Sequence, residues 1–288
     1  MKNRLLIFTT VVFLLSCKKE NNPGPNPGPV PIPEKTELNV AYGTDALQKM
    51  DVYLPASRTT TTTKVIILIH GGGWSSGDKA DFTAYVDTLK RRLPGYAVIN
   101  INYRLASASG NLFPTQEIDV KAAIDFIYSK RNEYAISDKF VLLGTSAGGH
   151  LSLLQAYKYS TPVKIKAVVD FFGPNDLVDM YNNPASIFAP PAALAAVVGG
   201  TPSTHLTLYQ QSSPINFVTA QSPPTIILQG GVDVLVSPSQ SATLNNKLQT
   251  FGVIHQYVFY PTENHGWTGA NLTDSFDKIA VFLNTNVN

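Results

Sequence analysis

From about Glu37 onward, short runs of apolar, β-branched residues alternate with longer segments whose apolar positions recur at helical spacing. Val65-Ile66-Ile67-Leu68-Ile69 and Phe140-Val141-Leu142-Leu143 are unbroken apolar runs. Such runs suit strands covered on both faces in a parallel sheet. Further strands are predicted over 37–43, 48–54, 97–101, 165–171, 225–229 and 254–260, the first two as a hairpin or meander. Helices are predicted over 80–93, 115–131, 147–159, 238–251 and 273–284. Within 115–131, Val120, Ala123, Ile124 and Ile127 fall on one helical face. Strands alternating with helices predict an α/β fold, a mostly parallel central sheet of about eight strands with helices on both faces.

The stretch 174–222 breaks the alternation. It is rich in Pro, Ala and Asn, with one short helix predicted over 191–198. It reads as a small cap-like insertion over the carboxyl edge of the sheet, where open α/β folds bind ligands.

The first residues read as an address rather than as fold. Lys2 and Arg4 precede an apolar run from Leu5 to Leu15. That run is too short for a membrane span of about 20 residues and fits an export signal. Leu14-Leu15-Ser16-Cys17 resembles a bacterial lipobox, which implies cleavage before Cys17 and lipidation of its thiol. Residues 22–33 carry six prolines in 12 positions, excluding helix and sheet. As polyproline II, at about 3.1 Å per residue, they form a stalk of roughly 35–40 Å. The expected organisation is therefore a signal over 1–16, a lipidated Cys17 with a Pro-rich linker over 17–36, and one domain over 37–288. The expected location is a bacterial membrane, with the domain facing periplasm or cell surface. Lys18 and Lys19 in place of Asp favour the outer membrane by analogy.

Composition narrows the chemistry. Charged residues are 15% of the chain, with 22 basic and 20 acidic side chains. Loss of Lys2 and Arg4 with the signal brings the balance to zero. Neither value suits a nucleic-acid binder. A single cysteine excludes an intrachain disulfide and a cysteine metal site. No His-Glu-x-x-His motif supplies a zinc site, and no dinucleotide fingerprint follows the first buried strand. No metal and no cofactor are expected.

What remains points to acyl transfer. Gly144-Thr145-Ser146-Ala147-Gly148 has the G-x-S-x-G pattern between a predicted buried strand and a helix, the setting of a nucleophile elbow at Ser146. His70-Gly71-Gly72-Gly73-Trp74 follows another buried strand. The amides of Gly72 and Gly73, with that of Ala147, are candidates for an oxyanion hole. His70 reads as a loop organiser. Acid and base should follow the serine in that order, and Asp233 and His265 each lie just beyond a predicted strand. Asp170, Asp176 and Glu263 remain as alternative acids. His150, His205 and His255 read as structural or surface histidines. Trp74 and Trp267 are candidates for the pocket wall.

These residues resemble the α/β-hydrolase superfamily, and within it the hormone-sensitive-lipase-like esterases and the bacterial feruloyl- and acetyl-esterase-like (BD-FAE-like) group. Tyr103-Arg104-Leu105, Phe113-Pro114 and Phe172-Gly173-Pro174 add to the likeness, which covers about residues 38–285. The resemblance implies the α/β-hydrolase fold and a cofactor-free serine hydrolase. The lipid-tethered stalk points to acetyl or feruloyl esters of a surface polysaccharide as substrates, and a simple short-chain carboxylesterase is equally consistent with the triad. Only a short strand region and a linker precede the glycine loop, which favours the feruloyl- and acetyl-esterase-like branch. Arg104 is expected to be structural, pairing with Asp119. The competing readings are a serine peptidase of the same fold and a non-catalytic glycan-binding lipoprotein.

Overall fold

The computed structural model describes residues 31–288. The export signal, Cys17 and the linker up to residue 30 lie outside the described residues. Strand β1 (Lys35–Ala41) begins at Lys35 rather than at residue 37. It is followed by β2 (Lys49–Leu54), β3 (Lys64–Ile69), β4 (Tyr96–Ile101), β5 (Phe140–Thr145), β6 (Ala167–Phe171), β7 (Thr225–Gly230) and β8 (His255–Tyr260). Their spatial order is β1-β2-β4-β3-β5-β6-β7-β8. β2 runs antiparallel to β1 and to β4, and from β4 to β8 every pairing is parallel.

The apolar runs sit at the centre because both of their faces are covered. Along β3, Val65, Ile67 and Ile69 join one core while Ile66 and Leu68 join the other, the two-residue period of a strand. Helices α2 (Thr115–Ser129) and α4 (Ala147–Lys158) build the first core, with Ile124, Ile127, Leu151 and Leu153. α8 (Pro238–Thr250) adds Leu244 and Leu248 to it. Helices α1 (Thr83–Arg92) and α9 (Gly269–Asn286) build the second, with Leu89, Phe276 and Ile279. Each such side chain contributes about 1.5–3 kcal/mol on burial. The predicted helix over 80–93 is split, with a 3-10 turn at Lys79–Phe82 ahead of α1. A single turn, α3 (Arg131–Tyr134), follows α2.

The insertion is more ordered than its composition suggested. It folds as α5 (Leu177–Asn182), α6 (Pro191–Val198), α7 (Pro202–Gln211) and a 3-10 turn at Pro214–Phe217. The Asp176 carboxylate starts α5 by accepting from the amides of Val178 and Asp179, both at 3.0 Å. Leu194, Val197, Val198 and Tyr209 bury their side chains in the first core. The expected pair of Arg104 and Asp119 is present: the guanidinium donates to the buried carboxylate at 2.6 and 2.9 Å. Gln48 donates to the same carboxylate at 2.8 Å and ties in the loop before β2.

Candidate active site

Four segments leave the carboxyl ends of parallel strands on one edge: the glycine loop after β3, Ser146 after β5, Asp233 after β7 and His265 after β8. The β3–β5 register sets Ile69 beside Gly144, so the glycine loop and the serine emerge together. Ser146 has φ 53° and ψ −121°, a left-handed conformation that a non-glycine residue adopts only where its surroundings impose it. Its amide donates to Phe171 O at 2.8 Å, and its carbonyl accepts from His150 N at 3.0 Å as α4 begins. The sharp turn needs Gly148, where a Cβ would lie 1.9 Å from Ile69 O. Ala147, the first residue of α4, points its amide away from any intrahelical acceptor.

The glycine loop is held from behind. Tyr103 donates its hydroxyl to His70 O at 3.0 Å and to Gly71 O at 3.1 Å, and its ring stacks on His70 at 4.3 Å. His70 Nδ1 lies 2.8 Å from Gly71 O. Burial lowers the pKa of His70, keeping the ring neutral. Gly72 has φ +99°, and a Cβ there would meet Ser76 O at 2.1 Å. Among the described residues, the amides of Gly72 and Gly73 donate to no protein acceptor. Trp74, itself at φ 60°, donates its indole N–H to His150 Nδ1 at 3.2 Å. His150 is fully buried and donates in turn to Ser212 O at 2.6 Å.

Asp233 and His265 meet. His265 Nδ1 lies 2.8 Å from Asp233 Oδ2, which also accepts from Gln229 Nε2 at 3.2 Å. Asp233 Oδ1 accepts from the amides of Leu235 at 2.8 Å and Val236 at 2.9 Å. The His265 loop is pinned by Asn264, whose Oδ1 accepts from His265 N at 2.7 Å and Val234 N at 3.1 Å. His265 and Ser146 line one cleft, with no direct hydrogen bond between their side chains among the described residues. The alternative acids lie elsewhere. Asp170 is fully buried behind the elbow, accepts from Gly173 N at 2.9 Å, and has its pKa pushed up to about 8 by burial. Asp176 caps α5, and Glu263 accepts from Asn271. His205 contacts Thr204, and His255 Nδ1 contacts Val253 O.

Ser146 stands between two clefts. One, of about 210 Å³, is walled by Gly73, Trp74, Pro174, Met180, Leu194 and Val236, so the insertion contributes much of its lining. The other, of about 510 Å³, is lined by the glycine loop, Asp81, Tyr85, Phe172 and His265. Trp74 is thus a wall of the first cleft. Trp267 lines neither of these clefts but a smaller one of about 80 Å³, which shares Phe82, Tyr85 and Phe172 with the second, and its indole donates to Ser275 Oγ at 2.9 Å. Phe172, not assigned to the wall from the sequence, lines the wider cleft, its ring 4.6 Å from His265 and 5.4 Å from Trp267. The Phe172-Gly173-Pro174 motif was the available signal. Among the described residues, no three His, Cys, Asp or Glu side chains gather as metal ligands would.

Comparisons with known proteins agree with this architecture. The chain is 27% identical over 261 residues to esterase LipC of Mycobacterium tuberculosis, covering 85% of this chain and 64% of that protein. It thus spans less than two thirds of the length of such curated relatives. It superposes with a TM-score of 0.74 on a truncated carbohydrate esterase from gut microbiota, at 28% identity, covering 88% of this chain and 96% of that one. A bifunctional GH43-CE protein of Bacteroides eggerthii gives the same TM-score at 27% identity, over 85% of this chain and 38% of that one. The BD-FAE family model matches residues 50–248, and the chain belongs to that family of α/β-hydrolases.

Proposed function

We propose that the protein is a serine ester hydrolase of short acyl esters, with Ser146 as nucleophile, His265 as base and Asp233 as its orienting acid. The observation that carries this reading is the 2.8 Å contact between His265 and Asp233 at the cleft that Ser146 lines. His265 Nε2 takes the Ser146 hydroxyl proton as the oxygen attacks the ester carbonyl carbon. The oxyanion is held by the amides of Gly72, Gly73 and Ala147. Collapse breaks the bond to the leaving oxygen, which takes the proton from His265. Water then attacks the acyl carbon and gives a proton to His265; collapse breaks the bond to Ser146 Oγ, which takes that proton back, and the acid is released.

The smaller cleft bounds the acyl group. At about 210 Å³, with mostly apolar walls, it suits an acetyl to butyryl group. The named carbohydrate esterases among its structural neighbours support glycan O-acyl esters as substrates. The Leu14-Leu15-Ser16-Cys17 sequence supports a lipid anchor on Cys17.

The test is turnover of p-nitrophenyl acetate, butyrate and decanoate by the wild type and by Ser146→Ala. The expected result is hydrolysis of the two shorter esters, reduced at least about 10³-fold in the variant. Equal turnover by both proteins overturns the assignment of Ser146. Hydrolysis of aminoacyl p-nitroanilides with none of the esters favours a peptidase.

A further inference from the structure

The two clefts differ in which catalytic group they contain, and that difference orients the substrate. Ser146 and Gly73 border both, whereas His265 borders only the wider one. The leaving oxygen must take its proton from His265, so it faces the wider cleft, and the acyl chain enters the narrow apolar one. The wider cleft is therefore the alcohol subsite.

Its walls select among alcohols. Asp81 is exposed; its Oδ2 accepts from Asp78 N at 3.2 Å, and among the described residues its Oδ1 has no hydrogen-bond partner. Tyr85 is half-buried against Phe276, with ring centroids 5.6 Å apart, and its hydroxyl also has no hydrogen-bond partner among the described residues. Phe82 and Phe172 line the same cleft, Phe82 with its ring centroid 6.1 Å from that of Tyr85 and Phe172 4.6 Å from His265. A free carboxylate oxygen and a free phenol beside aromatic faces match a ring bearing several hydroxyls: hydroxyls donate to the carboxylate, and the C–H face packs on the rings.

We propose that Asp81 and Tyr85 form a specificity subsite for a pyranose leaving group, so that the enzyme selects its substrate through the sugar that departs. This rests on the assignment of Ser146 and His265 above. The two residues are positioned to bind the sugar and take no part in proton transfer.

The experiment compares kcat/KM of the full chain on O-acetylated xylo-oligosaccharides with that on p-nitrophenyl acetate, which share the acyl group and differ in the alcohol. The variants are Asp81→Asn, which keeps an oxygen for the Asp78 amide, and Tyr85→Phe, which keeps the ring. The ratio of sugar ester to p-nitrophenyl acetate should fall about tenfold to a hundredfold in Asp81→Asn and a few-fold in Tyr85→Phe. The change should appear in KM, since these contacts exist before and during the reaction. A ratio unchanged in both variants overturns the proposal, as does a change confined to kcat. Wild-type turnover of p-nitrophenyl acetate without any of the sugar ester overturns it and leaves the esterase reading standing. Absence of wild-type turnover on every ester removes both.

Discussion

Replacing Asp233 by Asn tests the triad most directly, because the structure fixes how the new amide must sit. Oδ1 of Asp233 accepts from two backbone amides, Leu235 N and Val236 N, which cannot become acceptors. The Asn oxygen therefore takes that position, and its NH2 group takes the place of Oδ2. There it faces His265 Nδ1 and Gln229 Nε2. Gln229 cannot turn its amide round without losing the bond from its Nε2 to Gly230 O, 3.0 Å, and setting two oxygens face to face. His265 must then accept at Nδ1 and carry its proton on Nε2, the atom that should receive the Ser146 proton. A wrong tautomer of this kind lowers kcat by about 10³–10⁴, or about 4–5.5 kcal/mol of barrier. The apposed donors at Gln229 should destabilise the fold by only about 1–3 kcal/mol. Steady-state kinetics on p-nitrophenyl acetate, with thermal melts of both proteins, separates the two effects. A folded Asp233→Asn enzyme within tenfold of the wild type would falsify the tautomer reasoning. Asp170→Asn serves as the control, since Asp170 touches no histidine, and a larger loss there would reassign the acid.

Three further outcomes are expected. Gly72→Ala should cost at least about 10² in kcat, because the Cβ meets Ser76 O and the oxyanion amides must shift; unchanged kinetics would remove Gly72 from the oxyanion hole. Asp170, with its folded pKa raised to about 8, holds its proton better when folded than when unfolded. Its contribution is full below the ordinary carboxylate pKa and is lost as pH rises through about 8. Melting curves from pH 4 to 9 should therefore show the wild type losing stability relative to Asp170→Asn, at up to about 1.4 kcal/mol per pH unit, and parallel curves would refute this. Finally, Cys17→Ser in an expressing bacterium should move the protein out of the detergent-extracted membrane fraction; retention there would rule out Cys17 as the anchor.

The sequence displays the sheet more plainly than the insertion. β3 and β5 are buried on both faces, so Val65–Ile69 and Phe140–Leu143 are unbroken apolar runs and the reading is direct. Segment 174–222 has no such constraint. α6, Pro191–Val198, is where the sequence predicts it, but α5 is only six residues long and depends on the Asp176 cap. α7 is mixed in polarity and holds its place by burying Tyr209. Ser146, Asp233 and His265 were legible because each follows a recognisable strand. Trp74 was legible as a wall residue from its place in the glycine loop, but Phe172 was not, since aromatic character does not reveal direction. Trp267 follows Gly266, at φ +99°, and is buried, while Phe172, just after β6, lies 4.6 Å from the imidazole.

The scattering of the site over the carboxyl ends of β3, β5, β7 and β8 also bears on how the chain becomes active. Parallel neighbours cannot zip together locally; each pairing closes a long loop through an intervening helix, and such high-contact-order folds assemble slowly. The glycine loop and Ser146 leave the ribosome well before His265. A nascent chain thus carries a nucleophile without a base until β8, the last strand in sequence and one edge of the sheet, is laid against β7. Trp267, packed between β6, β8 and α9, is one of only two tryptophans and reports that last docking by its fluorescence. In refolding from denaturant, recovery of esterase activity should coincide with this late optical phase rather than with early collapse.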